Sequence, residues 1–360
     1  MCDKMTSERT VLIAMSGGVD SSVAAHVMLL RGYKVEAAIF EMYRGDTDDT
    51  QKTDIKDAQS VSAFLGIPLS VVDFREDFKR EIVEKFIRTY EEGGTPNPCV
   101  DCNRTVKFGK LLDFAQTKGL HYIATGHYAR VEYSNELGRY QLKKSLAPEK
   151  DQSYVLCNLT QEQLSRIIFP LGETDKGTVR AIAAELGFDT AEKKDSQDIC
   201  FIPDGDYAAF MERYTGKKYP CGKFLDVDGN VVGEHRGAVR YTIGQRKGLG
   251  LSMGEPVYVC SKCMEDNSVT VGMEELLFHK TLIAKDFNWV SIACPAAPIR
   301  GRAKARYRQT EAWATATPLE GGRVKITFDM PQRAMTVGQT AVLYDGDILL
   351  GGGTIESVED

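Results

Sequence analysis

Val11-Leu12-Ile13-Ala14-Met15-Ser16-Gly17-Gly18-Val19-Asp20-Ser21-Ser22 sets an unbroken apolar run directly before two glycines and a cluster of hydroxyls. An apolar run without polar alternation predicts a strand buried on both faces. The glycines permit a tight turn, and the residues from there to about Arg31 read as a helix closed by Gly32. A second strand is expected over residues 34–40, which completes a βαβ unit. Backbone N–H groups and hydroxyls then converge on the positive end of the helix, making the turn a phosphate cradle. It lacks the Lys-Ser/Thr ending of the kinase-type loop, so transfer of a terminal phosphate is not expected.

Outward from this unit the alternation continues. Helices are expected over residues 54–65, 79–92 and 108–118, and strands over 68–72 and 121–124. Such a pattern predicts an α/β domain with a parallel sheet, its ligand site at the carboxyl ends of the strands. Beyond about Tyr214 helical periodicity fades into short β-type runs at 237–244, 256–259 and 268–271. A further set at 281–283, 302–309, 323–328, 340–344 and 348–355 reads as a small antiparallel barrel. The expected organisation is a catalytic domain over residues 1–212, a small β-rich central domain over 213–278 and a C-terminal antiparallel β-barrel over 279–360.

Composition narrows the function classes. A chain of 360 residues with 42% hydrophobic and 27% charged content is ordinary for a multidomain globular protein. No segment reaches the roughly 18 apolar residues of a membrane helix, so no membrane partner is expected. The first ten residues mix Asp3, Lys4, Glu8 and Arg9, which fits no targeting segment and predicts a cytoplasmic location. Nine cysteines, an odd number, argue against a disulfide framework and for reactive or metal-binding thiols. The net charge of -6 speaks against a protein coated in nucleic acid, so any RNA contact must come from local clusters.

Two kinds of cluster stand out. In Thr95-Pro96-Asn97-Pro98-Cys99-Val100-Asp101-Cys102-Asn103 two prolines are expected to hold the chain extended and display two thiols on a stiff loop. A third thiol, Cys200, follows Lys194-Asp195-Ser196-Gln197-Asp198-Ile199. The basic residues Arg300, Arg302, Lys304, Arg306 and Arg308 alternate with uncharged ones, so a strand would place all five on one face. Arg236, Arg240, Arg246 and Lys247 form a second basic group with Glu234 as the acidic neighbour. Both groups suit RNA phosphates.

The glycine turn resembles that of the PP-loop ATP pyrophosphatases. Together with Pro96-Asn97-Pro98-Cys99, Cys102-Asn103, Ala124-Thr125-Gly126-His127-Tyr128, Lys150-Asp151-Gln152-Ser153-Tyr154, Lys194-Asp195-Ser196 and Tyr241-Thr242-Ile243-Gly244-Gln245-Arg246-Lys247-Gly248-Leu249, it resembles the tRNA-specific 2-thiouridylase family from about residue 10 to residue 355. The resemblance implies ATP-dependent 2-thiolation of the wobble uridine in tRNAs of the Lys, Glu and Gln type, with ATP and Mg²⁺ as cofactors. It assigns the nucleotide pocket to Ala14, Met15, Ser16, Gly17, Gly18, Val19, Asp20, Ser21, Phe40 and Gly126, with Asp20 helping to hold Mg²⁺ and Phe40 flanking adenine. It makes Cys200 the carrier of a persulfide from a cysteine desulfurase or sulfur carrier protein. Cys102 completes the transfer, and the two cysteines end as a disulfide that must be reduced. Asn97, Pro98 and Cys99 would meet the target base, His127 the base or RNA, and Lys150, Asp151, Gln152, Arg306, Tyr307 and Gln339 the rest of the tRNA.

Cys99 stands where some family members carry an aspartate proposed to assist proton transfer, which opens a second reading. In it, Cys99, Cys102 and Cys200 supply three ligands to an iron–sulfur cluster that binds external sulfide. Zinc is disfavoured because Cys260 and Cys263 lie far off in a β-rich region, where they read as packing residues. Outside thiolation, the alternatives are an amide-forming PP-loop ligase, which leaves the thiols without a role, and a tRNA-binding protein without catalysis.

Overall fold

The computed structural model describes residues 9–45, 49–188, 193 and 199–359. In it the apolar run becomes β1 (Thr10–Met15), where Val11 and Ile13 are fully buried, as a strand covered on both faces requires. The helix Val19–Leu30 follows the glycine turn and leads into β2 (Lys34–Glu41). The helix Asp49–Leu65 then leads to β3 (Leu69–Asp73). Later come β4 (Tyr122–Ala124), a hairpin of β5 (Ala129–Ser134) and β6 (Arg139–Lys144), and the short β7 (Ile167–Ile168).

The first sheet has the order β3-β2-β1-β4-β7, with its pairs parallel. Its chain path reverses direction between β1 and β4. A switch point of this kind opens a crevice at the strand ends, and the glycine turn after β1 lies there. Val23, Ala24, Ala25 and Met28 of the helix Val19–Leu30 cover one face, while Phe108, Leu111, Leu112 and Ala115 cover the other.

After the helix Tyr207–Thr215, a four-stranded sheet is ordered β10-β11-β8-β9, from β8 (Gly222–Leu225), β9 (Val231–His235), β10 (Tyr258–Cys263) and β11 (Ser268–Gly272). The strand expected over residues 237–244 is instead a 3-10 turn at Ala238–Arg240. Gly237 and Gly244 both adopt positive φ there (107° and 85°), which ends the pleat.

The last unit is a closed antiparallel barrel of β12 (Phe278–Trp289), β13 (Ile299–Lys304), β14 (Ala312–Leu319), β15 (Arg323–Arg333), β16 (Thr340–Asp345) and β17 (Ile348–Glu359). Pairing of β12 with β17 closes it. Ala284, Ala303, Ala305, Ala314 and Ala316 face inward beside Leu282, Ile326 and Phe328, since a barrel this small has room for little else. β6 pairs with β17 through Leu142 and Lys143, so the hairpin of the first domain extends the barrel's sheet. Among the described residues, no helix is long and apolar enough to cross a membrane.

Candidate active site

The phosphate cradle is built from close backbone approaches. Gly17 has φ +68°, and a Cβ there would lie 2.6 Å from the Asp54 backbone. Gly126, just beyond β4, sits so near the turn that a Cβ would lie 2.8 Å from the Asp20 and Ser21 backbone. Gly18 caps the helix Val19–Leu30 with no side-chain hydrogen bond, which leaves the first-turn N–H groups open to an anion. The Ser21 hydroxyl donates to the Gly18 carbonyl (3.0 Å) and accepts from the Ser16 N–H (3.1 Å), closing the turn.

Three cations ring this cradle, none of them apparent from local sequence. Lys176 meets both Asp20 carboxylate oxygens at 2.8 Å, and the Tyr128 hydroxyl donates to the same carboxylate at 2.7 Å. Lys193 donates to the Gly17 carbonyl (3.0 Å), to Asp54 (2.6 Å) and to Asp57 (2.9 Å). Arg44 pairs with Asp54 at 2.7 Å. The carboxylates hold these cations where a polyphosphate would need them. A single carboxylate beside phosphates is a common way to bind Mg²⁺, and an ion at Asp20 would have to take its oxygens from Lys176 and Tyr128. Phe40 is buried against Phe74 at 4.8 Å, and Met15 is buried as well; both belong to the core.

The cysteine segment is helical where an extended loop was expected. Pro98 opens a helix at Pro98–Cys102 with Asn97 as its cap, because a proline at the first helical position gives up an N–H that has no partner anyway. π-helical turns follow at Asn103–Lys110. Residues five apart share a face in such turns, which brings Lys107 beneath Cys102.

Cys99 is exposed and Cys102 buried. Burial pushes the Cys102 thiol up to about 12; Lys107 opposes this, while Cys200, Cys99 and Asp101 add to it. Cys200 is exposed as a residue, yet protein crowds its sulfur and raises the thiol by desolvation, with Lys107 and Arg44 opposing. Lys107 therefore acts on both thiols. His127, whose Nδ1 lies 2.7 Å from the Thr125 hydroxyl, is held down to about 3 by burial and by Lys107, so its imidazole is neutral at physiological pH. All the described cysteines are free thiols. Lys194, Asp195, Ser196, Gln197 and Asp198 lie outside the described residues.

Among the described residues, no group of three His, Cys, Asp or Glu side chains is arranged to hold a metal ion. Cys99, Cys102 and Cys200 thus do not form a preassembled ligand set for an iron–sulfur cluster.

The residues expected at the RNA gather near these thiols, but several already have partners. The Gln339 amide donates to the carbonyls of Thr95 (3.0 Å) and Pro96 (3.2 Å), pinning the start of the cysteine segment to the barrel. Asn97 approaches the Tyr154 hydroxyl, which donates to the Thr340 carbonyl at 2.6 Å. Tyr307 stands 5.5 Å from the Tyr154 ring and donates to the Asp151 carbonyl at 3.4 Å; Cys99 and Lys150 both act on its hydroxyl. The Asp151 carboxylate accepts from Ser145 and Ser153, and Gln152 accepts from the Tyr128 N–H at 2.9 Å. Tyr128 thereby connects Gln152 with Asp20 in the cradle.

The basic stripe is not one face of a strand. β13 ends at Lys304, where Gln309 accepts from the Ala305 N–H (2.8 Å) and turns the chain. Arg306 folds inward to the Ile243 carbonyl (3.0 Å) and the Thr336 hydroxyl, tying the central domain to the barrel. Lys304 sits among the rings of Tyr154, Tyr307 and Tyr344 at 5.3, 5.9 and 5.7 Å. Arg300 pairs with Asp329, which leaves Arg302 and Arg308 exposed. In the second group Arg240 pairs with Glu212 (3.0 Å) from the helix Tyr207–Thr215, whereas Arg236, Arg246 and Lys247 face solvent.

The chain matches three family models in succession: a tRNA methyl transferase HUP domain over residues 9–204, a tRNA methyl transferase PRC-barrel domain over 208–273 and an aminomethyltransferase beta-barrel domain over 279–355. It is 47% identical to the tRNA-specific 2-thiouridylase MnmA of Acetivibrio thermocellus, covering 97% of this chain and 100% of that one. Against the protein of the same name from Clostridioides difficile the identity is 44%, covering 98% and 99%. Among solved structures, the U34-tRNA thiolase NcsA from Methanococcus maripaludis with its 4Fe–4S cluster aligns at a TM-score of 0.36 and 19% identity, over 59% of this chain and 70% of that one. That likeness is too loose to transfer any ligand. With a phosphate cradle, paired thiols and near full-length identity to named thiouridylases, the chain belongs to the tRNA-specific 2-thiouridylase family.

Proposed function

We propose that this sulfurtransferase replaces the 2-oxygen of the wobble uridine in tRNAs of the Lys, Glu and Gln type, drawing sulfur from a persulfide relay. The observation that carries the reading is that Cys200 acts on the Cys102 thiol, and that Lys107 acts on both, in the domain that holds an open phosphate cradle. A thiol cannot displace a carbonyl oxygen directly, because oxide is a poor leaving group. ATP solves this by adenylating the oxygen, with pyrophosphate leaving toward the N–H groups after Gly18 and toward Lys176 and Lys193. Mg²⁺ held at Asp20 would neutralise charge on the departing phosphates.

The terminal sulfur of a Cys200 persulfide then bonds to the uridine C2 as the C2–O bond to AMP breaks. Cys102 thiolate attacks the Cys200 sulfur, forming a Cys102–Cys200 disulfide and releasing the 2-thiocarbonyl. A cellular reductant restores the two thiols. Attack needs sulfur anions, which burial disfavours and the Lys107 ammonium supports. Neutral His127 serves as a hydrogen-bonding contact, and Cys99 and Asn97 border the base. The donor is a cysteine desulfurase or a sulfur carrier protein, and the reaction is cytoplasmic, where its tRNA resides.

Incubating the enzyme with ATP, an unmodified tRNA transcript and a cysteine desulfurase with cysteine tests this reading. One AMP and one pyrophosphate per 2-thiouridine support it. AMP formation with incorporation of ammonia and no sulfur would establish the amide-forming ligase instead.

A further inference from the structure

We propose that Trp313, pinned by Arg302 and Arg300, is a stacking platform for an unpaired base of the tRNA, on the outer face of the barrel beyond the active site. It rests on the reading of tRNA as substrate. Trp313 on β14 lies directly opposite Arg302 on β13 and is 50% exposed. The guanidinium carbons of Arg302 and Arg300 lie 5.2 and 5.6 Å from its ring, within cation–π range. Arg300 is itself positioned over the indole by two 2.8 Å bonds to Asp329 and one of 3.1 Å to Thr315. Asp329 offsets the charge of Arg300, whereas no ion pair involves the exposed Arg302 among the described residues. A half-exposed indole with two guanidinium groups over its ring, one of them without an offsetting carboxylate, is the chemistry that binds an unstacked base and its phosphate.

The platform continues the active site. Arg300, Arg302 and Lys304 alternate outward on β13 while Gly301 and Ala303 are buried. Lys304 is about 7 Å along the strand from Arg302, and its ammonium lies 5.9 Å from the ring of Tyr307, beside Cys99. A track therefore runs from Cys99 through Tyr307, Lys304 and Arg302 to Trp313, and RNA whose target base enters at Cys99 can follow it. A protein partner would have to desolvate Arg300, Arg302 and Asp329 to reach the indole, which favours RNA.

Binding of a fluorescently labelled tRNA transcript of the Lys type to the full chain tests this as a function of salt. Trp313→Ala should raise Kd roughly tenfold with an unchanged salt slope, because stacking releases no counterions. Trp313→Phe, which keeps an aromatic face, should stay within about threefold of wild type, and Arg302→Met should lower the salt slope by about one. Wild-type affinity in Trp313→Ala would overturn the platform, as would equal losses in the Ala and Phe variants. Loss of self-association in Trp313→Ala with tRNA affinity intact would also overturn it, showing a second copy to be the occupant. A wild type that neither binds tRNA nor makes 2-thiouridine would instead sink the parent reading. In that case, quenching of Trp313 fluorescence by a single-stranded RNA heptamer in wild type but not in Trp313→Phe would still support the platform, and its absence would remove it.

Discussion

The phosphate cradle and the basic strand of the barrel were equally conspicuous in sequence, yet the fold treats them differently. In the cradle the working groups are backbone N–H groups after Gly18, placed by residues adjacent in the chain, and the fold leaves them open. In the basic stripe the charges sit on long side chains, and the fold gives most of them distant partners: Arg306, beyond the end of β13, goes to Thr336, Lys304 to three tyrosines and Arg300 to Asp329. Function carried by backbone can be read locally, whereas function carried by charge depends on who else arrives at the surface.

The thiols give the largest predicted effect on the cradle's side of this comparison. Cys200→Ser should lower thiolation by a persulfide donor below roughly a thousandth of wild type, since a hydroxyl cannot carry the extra sulfur. Equilibrium binding of ATP should be retained, and its loss would show that Cys200 supports the pocket rather than the chemistry. Next comes Gly126→Ala, whose new Cβ must displace the backbone of Asp20 and Ser21. A stability loss of about 1–3 kcal/mol by denaturant titration is expected, together with weaker ATP binding by calorimetry. Unchanged ATP affinity would break the claim that the cradle depends on this close approach.

Lys107→Met removes the cation that acts on both thiols, so the pH profile for iodoacetamide alkylation of Cys102, resolved by peptide mass, should shift to higher pH. An unshifted profile would assign Lys107 to packing alone. His127 gives a pH effect with a definite sign. Its folded pKa, about 3, lies below the unfolded value, so the stability it contributes is full above about pH 6.5 and is lost as pH falls toward 3. The unfolding free energy of His127→Gln should decline less steeply over that window, and parallel curves would refute the assignment.

The smallest effects sharpen the split within the basic stripe. Arg306→Met should destabilise the protein by about 1–3 kcal/mol, because the partners on the central domain and the barrel lose a buried donor. Arg302→Met should cost less than about 0.5 kcal/mol and act on RNA binding instead. Equal stability losses would restore the five residues to a single role.

The sheet and barrel were legible because their signals are local: the apolar run of β1, the glycine turn, the alternation at the start of β15 and the buried run of β16. β14 was not, since its inward Ala314 and Ala316 are weak strand formers that only a small barrel interior demands. The hairpin β5–β6 was also missed, because its role is to join the sheet of a barrel two hundred residues later. At the site, the glycines and cysteines announced themselves, while Lys176 and Lys193 did not, their carboxylate partners lying 156 and 139 positions away. The helix at Pro98–Cys102 departs from the extended segment that Pro96 and Pro98 suggest, because a proline in the first helical turn starts a helix as readily as it stops one.

The relay itself is tested most directly by a single turnover. Enzyme loaded with persulfide at Cys200 is mixed with ATP and tRNA, without reductant, and quenched with an alkylating agent for peptide mass analysis. One 2-thiouridine per chain accompanied by a Cys102–Cys200 disulfide is the predicted result; 2-thiouridine formed while both cysteines remain alkylatable thiols would contradict it.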